Sequence, residues 1–145
     1  MNGLYFEDLA LGQNAEIAHT VTDDDIRAFA AVSGDNNPVH LDEAYAATTP
    51  FKTRIAHGML SAGYISAVLG TRLPGPGAIY ISQTMSFKRP VRIGDEVLTR
   101  ATVSAIDPLR ARVTLKTVSE VGGKAVVEGE AVVAVPRRPA AAETA

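Results

Sequence analysis

The sequence predicts an α+β domain in which a curved antiparallel β-sheet wraps one long central helix. Three observations lead to it. Residues 57–70, HGMLSAGYISAVLG, are apolar on nearly every side over a helical length. The second half of the chain alternates apolar and polar residues in runs cut by turn signals. The chain has 145 residues, the size of one ordinary domain with one core.

Taken in order, residues 14–21 alternate weakly, with Ala15, Ile17, His19 and Val21 on one side, and predict a first strand in which His19 is an ordinary strand residue. Thr22 followed by Asp23, Asp24 and Asp25 marks a helix start. The hydroxyl caps an amide and the carboxylates suit the positive end of the helix dipole, so the helix should run to about Val32. Residues 33–38, SGDNNP, have the composition of a turn, and the residue before a proline is pushed out of helical geometry. Asp42 opens a short second helix. The apolar run at 57–70, about 21 Å long as a helix, must be covered all round by other elements. Residues 79–87 form the clearest strand, with Ile79, Ile81, Gln83, Met85 and Phe87 on one face. Strands at 96–106, 111–120 and 124–135 follow, separated by Asp107-Pro108 and by Gly122-Gly123, and make a meander. Residues 1–136 are expected to form one domain and 137–145 a frayed, flexible tail.

Composition removes several classes of function. Hydrophobic residues make up 46% and charged residues 21%, a balance too apolar for a disordered chain. The formal charge is -2 with scattered Lys and Arg, so no basic field exists for nucleic acid. The sequence has no cysteine, which excludes disulfides, thiolate metal sites and a cysteine nucleophile. The N-terminal stretch MNGLYFEDLALGQ lacks the charged-then-apolar pattern of a signal peptide, and a cytoplasmic location is expected. The apolar run is too short for a membrane span, so no membrane partner is expected. His19, His40 and His57 lack metal-ligand spacing, and no metal is expected. There is no Gly-x-Ser-x-Gly elbow, and Leu73-Pro-Gly-Pro-Gly77 lacks the strand–turn–helix setting of a phosphate loop.

The chemistry concentrates at Asp35 and His40, five residues apart around Asn37-Pro38. A carboxylate and an imidazole held together can share a water, one taking a proton and the other delivering one, as general acid–base addition to a double bond requires. Asp in a turn also commonly bonds its own backbone, and His after a turn is commonly a core residue. Spacing alone leaves both open.

The segment Ser33-Gly-Asp-Asn-Asn-Pro-Val-His40 resembles the Ser-Gly-Asp-x-Asn-Pro-x-His motif of (R)-specific enoyl-CoA hydratases and the wider MaoC-like dehydratases. The similarity continues through Ile55-Ala-His-Gly-Met-Leu60, through Ser86-Phe-Lys-Arg-Pro-Val91 and through Gly94-Asp-Glu96, in the family's order. The resemblance implies a hot-dog fold and reversible addition of water to a trans-2-enoyl-CoA, giving an (R)-3-hydroxyacyl-CoA. It places the catalytic pair on Asp35 and His40, and an orienting asparagine on Asn37. The oxyanion contact falls on the Gly58 amide, where the start of a helix leaves N–H groups free, and a helix serine near the pair falls on Ser66. His57 reads as an orienting residue. Lys88, Arg89 and Arg92 are candidate contacts for the phosphates of CoA. No cofactor is expected, since CoA enters as part of the substrate. Single hot-dog domains associate edge to edge, so a homodimer or a dimer of dimers is expected. Two other activities suit the same fold: dehydration of 3-hydroxyacyl groups on acyl carrier protein, and thioester hydrolysis.

Overall fold

In a computed structural model of the chain, residues 3–140 are described. Asn14–Thr20 forms β1, and Thr22 then starts α1, Asp23–Ser33. The Thr22 side chain accepts the Asp25 N–H at 3.1 Å and the Asp25 carboxylate accepts the Thr22 N–H at 3.0 Å, a reciprocal box that satisfies two orphan donors. Two single-turn helices follow, α2 at Pro38–Leu41 and α3 at Glu43–Ala46, and the long helix α4 runs over Gly58–Thr71. The remaining strands are β2 at Ile79–Phe87, β3 at Glu96–Asp107, β4 at Arg112–Val121 and β5 at Lys124–Ala134.

The five strands make one antiparallel sheet in the order β1-β3-β4-β5-β2. The meander β3-β4-β5 is joined by short turns, as the Asp107-Pro108 and Gly122-Gly123 signals predict. The inward residues of the sheet, among them Val97, Val103, Val113, Leu115 and Val133, pack on α4 through Ile65, Val68 and Leu69. Each such side chain contributes about 1.5–3 kcal/mol by leaving water. It is the hot-dog arrangement: a curved sheet wrapped around a central helix.

Three expectations are corrected. The face of α4 carrying Met59, Gly63, Ser66, Ala67 and Gly70 is open to solvent in the single chain, so the helix is wrapped on one side only. In β2 the register shifts between Tyr80 and Ser82, leaving Ile81 as an extra residue. Before the bulge it is Tyr80, opposite buried Val133, that lies on the same side of the sheet as Gln83 and Met85 beyond it, and Ile79, Tyr80 and Ile81 are all exposed. The start of the expected tail is tied down. Phe6 donates its N–H to Pro136 at 2.8 Å, Arg138 donates its own to Glu7 at 2.7 Å and pairs with Asp8, and the Arg137 guanidinium lies over the Phe6 ring. Residues 141–145 of that tail lie outside the described residues.

At the β2–β5 pairing, Gly129 lies opposite Met85, and a Cβ there would fall 1.7 Å from the Thr84 carbonyl oxygen. Only glycine permits this approach of the two strands. No helix among the described residues is long and apolar enough to cross a membrane.

Candidate active site

The local backbone builds the site from the end of α1. Gly34 closes that helix with φ +80°, a left-handed conformation that favours glycine. Asp35 then turns the chain, its N–H donating to the Ser33 hydroxyl at 3.1 Å and its carboxylate accepting the Asn37 N–H at 3.2 Å. Asn37 caps α2, its side-chain oxygen accepting the Val39 N–H at 3.2 Å, and Pro38 occupies the first helical position. One helical turn brings His40 back towards Asp35.

The four residues ahead of α4 complete the arrangement. The Ile55 N–H donates to the Val39 carbonyl at 3.3 Å, and the Ile55 carbonyl accepts the His40 Nδ1–H at 2.8 Å. The His57 Nε2–H donates to the Asp35 carbonyl at 3.0 Å, and the His57 ring stacks on that of His40 with centroids 3.9 Å apart. Donor atoms of Asp35, His40 and His57 all lie within 4.8 Å of one another. Spacing along the chain gave no hint that these two histidines meet.

His40 is only 8% exposed, and its bond to Ile55 fixes the tautomer that leaves Nε2 as a lone pair. Burial, aided by the neighbouring His57, holds its pKa below the ordinary value, against the opposing pull of the Ile55 carbonyl and of the Asp35 charge. The ring is therefore neutral near pH 7. His57 is 2% exposed, and with Nε2 engaged its Nδ1 is buried without a partner. The cluster thus offers one open ring nitrogen and a carboxylate, a set suited to holding a water; a cation would need the His57 nitrogens as well.

These groups open into a cavity of about 630 Å³ whose wall includes Phe29, Phe51 and Phe87. Gly58, first residue of α4, is on that wall, and its N–H precedes the first turn and has no helical acceptor. A Cβ at Gly58 would lie 2.7 Å from the Phe87 ring, so glycine lets that ring cover the helix start. Lys88 and Arg89 are at the cavity wall, the latter donating to the Ala125 carbonyl at 2.6 Å. Arg92 is exposed and not on the wall, and its guanidinium donates to the carbonyl of the wall residue Phe51 at 3.4 Å.

Two expected site residues fall elsewhere. Asn37 caps α2 through its side-chain oxygen and is not among the residues of the cavity wall. Ser66 faces out on the open side of α4; Ser61, five residues earlier and 3% exposed, is the helix serine that reaches the cavity. His19 is away from the site and paired with Asp25 at 2.9 Å. One residue was missed altogether. Arg54, whose side chain is 10% exposed, donates from Nε to the His40 carbonyl and from its terminal nitrogen to Asp23, each at 2.6 Å. Its partner is 31 residues away, beyond the reach of any local pattern.

A hot-dog domain that brings an imidazole and a carboxylate together on one cavity beside a helix N-terminus has the parts of an acid–base catalyst. The chain belongs to the MaoC like domain family, which residues 10–124 match. It is 60% identical over 134 residues to the (R)-specific enoyl-CoA hydratase of Rhodospirillum rubrum, spanning 92% of this chain and 93% of that protein. To the 3-hydroxybutyryl-CoA dehydratase of Methylorubrum extorquens it is 53% identical over 135 residues, spanning 93% and 86%. Among solved structures, the unliganded R-hydratase of Pseudomonas aeruginosa superposes with a TM-score of 0.89 at 47% identity, covering 99% of this chain and 94% of that one.

Proposed function

We infer that the protein is an (R)-specific enoyl-CoA hydratase, a hydro-lyase that adds water reversibly to a trans-2-enoyl-CoA. The observation that carries this reading is the tautomer of His40: Nδ1–H is committed to the Ile55 carbonyl, which leaves Nε2 unprotonated on a ring that lines the same cavity as Asp35. In the mechanism, a water held by Asp35 and His40 attacks the β-carbon. Hydroxide adds there, the proton that leaves the water stays on the pair, and the pair returns it to the α-carbon. The thioester oxygen gains negative charge in that step and accepts the Gly58 N–H. His57 holds the Asp35 loop through its carbonyl and backs the His40 ring, an orienting role. The reaction needs no cofactor. Lys88 and Arg89 at the mouth, together with the exposed Arg92, suit the phosphates of CoA. The open face of α4 and the unpaired edge of β2 suit a second copy, as a homodimer or a dimer of dimers, and we place the protein in the cytoplasm.

Purified protein mixed with crotonyl-CoA is expected to bleach the enoyl-thioester absorbance without releasing thiol, and to yield the (R)-3-hydroxy product. Thiol release would move the protein to the thioesterases. Activity confined to substrates linked to acyl carrier protein would make it the carrier-protein dehydratase.

The pH profile tests the tautomer. His40 must be unprotonated to accept a proton, and its pKa is held below about 6.5. The acid limb of kcat/KM should therefore have its midpoint below about 6.5. Removing the Asp35 charge, which pulls this pKa up, should move the His40 titration measured by NMR to still lower pH in Asp35→Asn. A limb above about 6.5, or an upward shift in the variant, contradicts the assignment.

A further inference from the structure

We propose that Arg54 is a positioning residue for the hydration reaction, gripping His40 through its main chain and anchoring that grip on Asp23 of α1. The inference rests on the hydratase reading for its kinetic consequences, and on geometry for its substance.

His40 sits in α2, a helix of four residues whose last carbonyls lack helical N–H donors. Nothing in so short a helix fixes its direction. The fixing comes from residues 54–57, a splint laid behind the pair. Ile55 takes the His40 ring N–H and donates to Val39, His57 holds the Asp35 carbonyl, and Arg54 holds the His40 carbonyl at 2.6 Å. Ring and backbone of His40 are thus held by two consecutive residues, which sets the direction in which Nε2 points.

The guanidinium is nearly buried, and a buried charge needs a partner. Asp23 supplies it at 2.6 Å. Asp23 stands in the first turn of α1, which also carries Phe29 and Ser33 to the cavity wall. Arg54 therefore links the helix that shapes the cavity to the turn that bears the base. The planar fork is needed for this, because two acceptors in different directions are met by Nε and a terminal nitrogen at once, a geometry that a lysine ammonium lacks.

The test compares Arg54→Met, which keeps the aliphatic stem, Arg54→Lys and Asp23→Asn. With crotonyl-CoA, Arg54→Met should lower kcat about 10- to 100-fold, the scale for a misplaced catalytic group, with KM changed less than about two-fold. Arg54→Lys should recover only part of that loss. Asp23→Asn, which keeps an oxygen to accept the Arg54 N–H but loses the countercharge, should fall by less, and the double variant should be no worse than Arg54→Met alone. In Arg54→Met the loosened, better hydrated His40 should titrate at higher pH by NMR, a change that a residue serving only stability would not produce. Wild-type kcat together with an unmoved His40 titration in Arg54→Met overturns the proposal. Absence of turnover in the unmodified enzyme on any enoyl thioester would count against the hydratase reading, and the NMR titration would still decide the clamp.

Discussion

Substituting His40 by glutamine should lower kcat for enoyl-CoA hydration by about three orders of magnitude, within the range of about 10²–10⁴ for a positioned acid or base. That corresponds to about 4 kcal/mol of barrier. Glutamine can still donate an amide N–H towards the Ile55 carbonyl, so the contact that seats residue 40 has a substitute. What disappears is the lone pair at Nε2, which no amide supplies. Far-ultraviolet circular dichroism and a melting curve should match the parent protein. Turnover within ten-fold of the parent would remove His40 from the mechanism.

Asp35→Asn should be comparably severe. The asparagine oxygen can still accept the Asn37 N–H at 3.2 Å, which keeps the turn, while the negative charge that faces the imidazole is lost. Because the two side chains act on one water, their losses should not add, and Asp35→Asn/His40→Gln should be about as slow as either single variant. A multiplicative loss would mean that the two residues work in separate steps. All three are read by stopped-flow or steady-state absorbance with crotonyl-CoA.

Much of the architecture was legible because period-two alternation survives wherever one side of a strand meets the core. Val97, Val103, Val113 and Leu115 announce their own burial. The pattern gave out where one inserted residue resets the alternation, at Ile81, since the bulge follows from pairing with β5 and not from β2 itself. Hydropathy likewise could not tell a core face from a face left open, so α4 read as covered all round although Gly63, Ala67 and Gly70 are open. In the candidate site, the turn that carries Asp35 and His40 and the helix start at Gly58 were legible as local features. Ser66 and Asn37 were not, because which helix face meets the cavity, and whether an amide side chain is already spent on a cap, are settled in three dimensions. Arg54 belongs to no local motif, and only folding reveals the carboxylate it meets.

The missing side chain at Gly129 governs more than strand pairing. Two residues along β5 from Val127 and facing the strand that ends at Phe87, it lies on the strand pair that carries both of these cavity-wall residues. Any larger residue there would lever that wall outward. Attempts to retune this protein for bulkier acyl groups thus have a hidden hinge to respect: enlarging the chamber by trimming its lining leaves the lattice of strands undisturbed, whereas drift at position 129 would reshape the chamber without touching a single residue that lines it.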